Sequence, residues 1–463
     1  MGSSRVNPDT EAQAADQHSM HLIEYLVAFL ITLGVLVTVH ELGHYWIARR
    51  SGVRILRFAV GFGRPLWRRL DARGVEWVIA MIPLGGYVRM LDERDGDFAA
   101  LATPGDVAFG QLHPAWRIAV ALGGPFANFL LAVVAFWLIA VAGSTTYMPI
   151  LGVVPIDSPL ARAGGFAGLE VVAVDGDQTS SWQQVSMALA TRLGDTGEIL
   201  LELRRPGTES VDEVRVAVSD WERGVDAPNL LGSLGIVPNI PAIIGQIEPG
   251  SAAERAGLQP WDQITALDGA IVADWAAMQV VISKLQSGDV TLSIERSGQA
   301  LEILARPEMR STESGERRVL GISPPINEIE HGVFAAVPVA VSETADTVGD
   351  TLALLKKMIF GQVSMANLSG PLTIAQVAGD SARVGWHYFV GILALLSVSL
   401  GVLNLLPIPI LDGGHVVYAT VEWVTGKPVS ERIQIVGFQF GMFLVGGLMA
   451  LALFNDFSRI FGG

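Results

Sequence analysis

Residues 22–48 read LIEYLVAFLITLGVLVTVHELGHYWIA, and the apolar run and the polar cluster within it pull in opposite directions. The stretch is long and apolar enough to cross a hydrocarbon core of about 30 Å, which takes about 20 helical residues. Yet His40, Glu41 and His44 sit inside it. Ionisable groups are costly at membrane depth, so three together there mark function rather than helix packing. On a helix, positions 40 and 44 share one face, and both imidazoles can reach one metal ion. Glu41 stands beside them, placed to take a proton from a water held at that ion. A catalytic zinc site takes three protein ligands and keeps a fourth position open. One more ligand must therefore come from elsewhere in the chain.

The surrounding sequence sustains the membrane reading. Half of the 463 residues are hydrophobic and 17% are charged, against about 25% charged in a soluble domain, and mean hydropathy is +0.43. Further spans are expected at Ile118–Ala142, Tyr388–Ile410 and Ile435–Phe454. There is no cysteine, which excludes disulfides and thiolate ligands, so any metal is held by His, Asp or Glu. Residues 1–19, MGSSRVNPDTEAQAADQHS, lack the basic start and apolar core of a signal peptide. They read as a tag remnant or disordered tail, with Met20 as the native start.

Charge sets the expected orientation. The loop 49–117 carries eleven Lys+Arg, whereas 143–384 carries 16 Lys+Arg against 30 Asp+Glu, nearly the whole of the chain's net charge of −15. Basic loops stay in the cytoplasm, which places the long acidic segment and both termini outside. No nucleic-acid partner is expected of so acidic a chain. His44 precedes Arg49 by five residues, roughly 8 Å along a helix, so the metal would lie within the bilayer near its cytoplasmic side.

The third span ends in Asn404-Leu-Leu-Pro-Ile-Pro-Ile-Leu-Asp412-Gly-Gly-His415. Asp412 is the one acidic residue between Arg383 and Glu422, and the topology brings it to the same side of the membrane as His44. Pro407 and Pro409 break the helix and turn the chain there. An Asp-Gly pair also serves as a plain loop turn, and His415 is a rival ligand.

Between the second and third spans lies an internal repeat. SPLARAGGFAGLEVVAVDG (Ser158–Gly176) matches SAAERAGLQPWDQITALDG (Ser251–Gly269), with Ala163/Ala256, Gly164/Gly257, Asp175/Asp268, Gly176/Gly269 and Trp182/Trp275 in register. Each half resembles a PDZ domain, a module that can add an extended peptide to a sheet edge; a spacer is the other reading. Phe58–Met90 is turn-punctuated and β-branched, as in a hairpin. Its exposed edge could pair with an unwound substrate beside the metal, or it is a plain surface hairpin. Asn128 follows Gly123-Gly124-Pro125, small residues that allow close packing on the first span, and is assigned a structural or substrate-path role. Val333–Met358 has the apolar spacing of an amphipathic helix, and a loop at Asn367–Pro371 leads to the third span.

Taken together, HELGH in the first span, Asn404-x-x-Pro-x-x-x-Leu-Asp412-Gly in the third and the PDZ-like pair resemble the site-2 protease family of intramembrane zinc metalloproteases. The likeness extends to Gly61-Phe62-Gly63, to Ile82–Val88 and to Gly124-Pro-Phe-Ala-Asn128. It implies zinc held by His40, His44 and Asp412, Glu41 as the general base, and Asn404 with Gly61, Phe62, Gly63 and, more weakly, Asn128 on the substrate. It further implies single-pass membrane substrates in a bacterial inner membrane, an anti-sigma factor already cut by a site-1 protease, or remnant signal peptides. The fold expected is a multi-span α-helical membrane protein of about four transmembrane helices, with a membrane-associated β-hairpin and two tandem PDZ-like α+β domains outside the membrane. Its parts are the tail 1–19, a membrane domain 20–145 with the hairpin at 56–95, PDZ-like domains 146–225 and 232–324, a connector 325–383 and a second membrane domain 384–463. Trp261 stands where the family usually carries glycine. Two rivals use the same residues, a PDZ-bearing scaffold with structural zinc and a zinc transporter. Against transport, no chain of further intramembrane carboxylates or histidines is present.

Overall fold

No water reaches the hydrocarbon phase to complete backbone hydrogen bonds, so a spanning segment must close them within itself as a helix. The structure is a computed structural model that describes residues 8–461, apart from 95, 97, 227, 239, 286–287 and 313–314. Among the described residues, four helices are long and apolar enough to cross a membrane. Helix α1 spans Pro8–Ser51, with its apolar part over Ile23–Ser51, and α2 spans Pro114–Ala142. Helices α3 (Ala336–Ile359) and α4 (Pro371–Val384) precede α5 (Trp386–Asn404), α6 (Asp412–Thr425) and α7 (Glu431–Phe461). The candidate spans lie on α1, α2, α5 and α7.

Three details depart from the sequence reading. Of the expected tail, residues 1–7 lie outside the described residues, and the backbone is helical from Pro8. The third span stops at Asn404 rather than at Ile410. Pro407 and Pro409 have no amide hydrogen to donate and clash with the preceding turn, so the chain tightens, with the Leu405 and Leu406 amides bonding Val402 and Leu403 carbonyls. It then restarts as a separate helix, α6, with Asp412 in its first turn. Finally, the connector 325–383 holds not only the expected amphipathic helix, α3, but also α4. The N-terminus of α4 is capped from another helix. Asp456 of α7 accepts hydrogen bonds from the amides of Gly370, Leu372 and Thr373 and from the Thr373 hydroxyl. A carboxylate at that end satisfies orphan amides and the helix dipole together.

The chain forms two compact units, one of residues up to 142 with 331–352 and 366–463, the other of 143–330 with 353–365. In the first, strands β1 (Ile55–Leu70) and β2 (Glu76–Met90) pair antiparallel, as the hairpin reading requires. Both are bent, so residues 55–60 pair with 86–90 and also with 76–79, while 76–80 pair again with 65–70. Gly61 and Gly63 make the bend with φ near +90°, a region glycine enters freely. An aromatic cluster fastens the sheet to α1, with Tyr45, Phe58 and Trp77 ring centroids 4.6 to 5.9 Å apart.

The second unit shows the repeat in three dimensions. Strands at 177–178, 170–174, 197–204 and 211–218 lie in that order in one sheet, and those at 270–271, 263–267, 290–296 and 299–305 lie in that order in another. Caps recur too: Ser158 and Ser251 cap the short helices, Ser181 and Asp274 the longer ones at Trp182–Ala190 and Trp275–Lys284. The Asp175-Gly176 and Asp268-Gly269 turns are both left-handed, as a tight hairpin turn demands. Each module encloses its own apolar core, around Ile199, Leu201 and Leu203 in one and Ile264, Leu292 and Ile294 in the other.

Candidate metal centre

The HELGH turn of α1 faces α2, and glycines set how closely the two helices meet. A Cβ on Gly123 would lie 2.7 Å from the Gly43 carbonyl oxygen, and one on Gly124 would lie 2.6 Å from His40 Cε1 and closer still to His44 Nε2. No larger residue fits either place. Small residues at such crossings let backbones approach and polar side chains meet.

From the other side α6 delivers Asp412. Its Oδ2 is 3.2 Å from His40 Nε2 and 3.4 Å from His44 Nε2, while the two Nε2 atoms are 3.1 Å apart. Gly413 and Gly414 seat the start of α6 against the carbonyls of Leu405, Leu406 and Ile408. Its far end is tied to α2 by Arg117 and Glu422, 2.5 Å apart, and by the edge of His113 on Trp423.

His40, His44 and Asp412 are the three-donor group among the described residues; His415 is not part of it. Asp412 Oδ2 is buried and makes no hydrogen bond of acceptable geometry, close as both imidazoles stand. The two Nε2 atoms are within hydrogen-bond distance of each other, which leaves the Asp412 oxygen unsatisfied beside them, and a small cation is what such a convergent set fits. Two imidazoles and a carboxylate, with no thiolate, suit zinc and its neighbours.

Behind the donors, α2 supplies second partners. His44 Nδ1 lies 2.7 Å from the Val120 carbonyl oxygen, and His40 Nδ1 lies 3.2 Å from the Asn128 side-chain amide. Asn128 is fully buried. Sequence reading assigns it a structural or substrate-path role; the structure sets it against a donor histidine. A backbone carbonyl such as that of Val120 has no residue-type signature, so the sequence held no sign of it.

Glu41 is buried beside the donors, and the sheet closes over it. A Cβ on Gly86 of β2 would lie 2.8 Å from Glu41 Cγ and 2.9 Å from Val37 Cγ1. Gly86 pairs with Val60, so the Gly61-Phe62-Gly63 bend begins one residue beyond. Phe62 is half exposed and stacks on Tyr87 with centroids 6.2 Å apart. Asn404, the last residue of α5, is partly exposed, and its side-chain amide has no hydrogen-bond partner among the described residues.

Fold and site together define a membrane protein with four candidate spans that carries a His-His-Asp donor set on and beside its first span. The chain belongs to peptidase family M50, whose family model matches residues 28–448. It is similar to a protein named Protease RseP from Yersinia pestis, 39% identical over 455 residues, covering 95% of this chain and 100% of that one. The Regulator of sigma-E protease RseP of Escherichia coli K12 is 39% identical over 448 residues, covering 94% and 98%. A Putative zinc metalloprotease of Vibrio cholerae is 37% identical over 446 residues, with the same coverage.

Proposed function

We propose that the chain is a zinc endopeptidase that cuts single-pass membrane proteins within the bilayer, with His40, His44 and Asp412 as ligands and Glu41 as general base. The observation that supports this most is the convergence of those three donors around one point, on a span and beside a buried glutamate. Zinc, when bound there, supplies Lewis acidity, polarising a peptide carbonyl and easing the deprotonation of water. Glu41 takes the proton from the attacking water and returns it to the leaving amine.

The substrate must be extended at the site, because a helix hides its carbonyls from attack. Residues 86–90 form an outer flank of the sheet, and Gly86 abuts Glu41. A substrate strand added at that flank would run past the general base, held by main-chain hydrogen bonds. Gly61, Phe62 and Gly63 at the bend and the unpartnered amide of Asn404 would hold the same stretch.

The two modules of the outer unit are read as PDZ-like domains on the far side of a bacterial inner membrane. They act as a size filter, so that an anti-sigma factor is admitted only after a site-1 protease has shortened it, and remnant signal peptides enter directly. Relatives named regulators of sigma-E protease support the first substrate class. Removing residues 150–322 should let the uncut substrate be cleaved; continued dependence on the first cut would sink the filter.

The central test compares wild type with Glu41→Gln in detergent, measuring zinc content and cleavage of a labelled transmembrane substrate. Zinc should stay at about one per chain while cleavage falls by about 10²- to 10⁴-fold, since removing the group that manages the proton leaves only positioning and Lewis acidity. If both proteins hold zinc and neither cleaves any of a substrate panel, the chain is a scaffold with a structural metal.

A further inference from the structure

The two donor histidines are braced from one face of α2, yet by partners of different kinds. Val120, Gly124 and Asn128 are spaced by four residues and so stack on that face. Gly124 leaves room for both rings, Val120 offers its carbonyl to His44 Nδ1, and Asn128 offers its side-chain amide to His40 Nδ1. A backbone carbonyl can only accept. It therefore fixes the proton of His44 on Nδ1, which leaves the Nε2 lone pair free.

Asn128 is ambidentate, since its amide can donate through nitrogen or accept through oxygen. In the structure the nitrogen faces His40 Nδ1, and Oδ1 is buried with no partner. That arrangement places the His40 proton on Nε2, aimed at the shared point, where it would block a cation. Turning the amide by half a rotation presents Oδ1 to Nδ1–H and bares Nε2. Which way an amide points is decided by its network rather than by its shape.

We propose that Asn128 is a positioning residue for the metal. Its side-chain oxygen accepts the Nδ1 proton of His40 when the site is loaded, and so holds His40 in the tautomer that can ligate. The Ser397 hydroxyl, fully buried on α5, donates to the Asn128 backbone carbonyl at 2.8 Å and keeps this turn of α2 in place. The inference rests on the zinc reading above and goes beyond it by naming what selects the ligating tautomer. Outer partners of this kind are worth about 10- to 100-fold in metal affinity.

The test is zinc affinity of the full-length protein, by competition with a chelator of known strength, for wild type, Asn128→Leu and Asn128→Asp. Leucine has a similar volume and cannot accept a hydrogen bond; aspartate can. Asn128→Leu should bind zinc about 10- to 100-fold more weakly, and Asn128→Asp should stay within about threefold of wild type. Cobalt-loaded Asn128→Asp should also show displaced d–d bands, because a carboxylate changes the basicity of His40, and this holds if the leucine variant fails to fold. Equal loss in both variants, or loss in neither, together with an unchanged cobalt spectrum, overturns the proposal and leaves Asn128 as helix packing. Failure of wild type itself to bind zinc would overturn the metalloprotease reading instead.

Discussion

The membrane unit and the second unit are each held together internally, by opposite kinds of contact. In the second unit the most buried side chains are large aliphatics, such as Leu201, Leu203, Leu292 and Ile294, brought together by expulsion of water. In the membrane unit the close approaches around the site involve glycine and polar atoms: Gly43 on Gly123, Gly124 on two imidazoles, Gly86 on Glu41, and Asn128 and Ser397 wholly buried. Lipid is as apolar as leucine, so aliphatic contact gains little there over the bilayer. Close backbone packing and interhelical polar contacts supply the specificity instead. The membrane unit should therefore be intolerant of added atoms, and the second unit of removed ones.

The largest effect is expected from one added methyl at Gly124. A Cβ there would lie 2.6 Å from His40 Cε1 and closer to His44 Nε2, so α1 and α2 must part or the rings must turn. A displacement of about 1 Å at a catalytic group costs on the order of 100-fold. Gly124→Ala should lose bound zinc and at least that much cleavage, while amide exchange in residues 143–330 stays as in wild type. Retained zinc with wild-type cleavage would mean that the crossing is soft and that the contrast between the units is wrong.

Truncation in the second unit is the converse. Leu201 is fully buried in the middle strand of the first module, and Leu→Ala at such a site costs about 2–5 kcal/mol. Leu201→Ala should speed amide exchange across residues 170–218 and leave zinc content unchanged, because every donor lies in the membrane unit. Loss of zinc in this variant would show that the two units are not separable in energy.

Legibility in the sequence divides along the same line. His40, Glu41 and His44 were legible because polar residues in an apolar span have few bland explanations, and Asp412 because it is the one acidic residue between Arg383 and Glu422. The repeat was legible because turns and caps reuse residue types, Asp-Gly in both hairpins and Ser158 with Ser251. Val120, Gly86 and Asp456 were not. A carbonyl carries no residue-type signal, a glycine's neighbour cannot be known before the sheet folds over the helix, and a cap supplied by a helix some 85 residues away in the chain has no local motif. The separate helix α6 was missed because Pro407 and Pro409 signal only that a helix breaks, and a new helix and a loop are equally compatible with that break.

The smallest effect lies between the two modules, whose repeat sets Gly168 against Trp261. Both are left-handed, with φ of +84° and +73°. Glycine takes that conformation freely, whereas a residue with a Cβ pays about 1–2 kcal/mol. Trp261 retains it with its indole against Gly207 of the first module, where a Cβ on Gly207 would sit 3.2 Å from the ring. Two substitutions separate the strain from the contact. Trp261→Ala loses the indole and keeps the strain; Trp261→Gly loses the indole and relieves it, at the cost of about 0.4–1 kcal/mol from a more flexible unfolded chain. The glycine variant should therefore be the more stable by several tenths of a kcal/mol up to about 1 kcal/mol, read as slower amide exchange in residues 263–305. An alanine variant as stable as the glycine one would mean that no strain is stored at this turn, and that the departure from glycine there carries no energetic consequence.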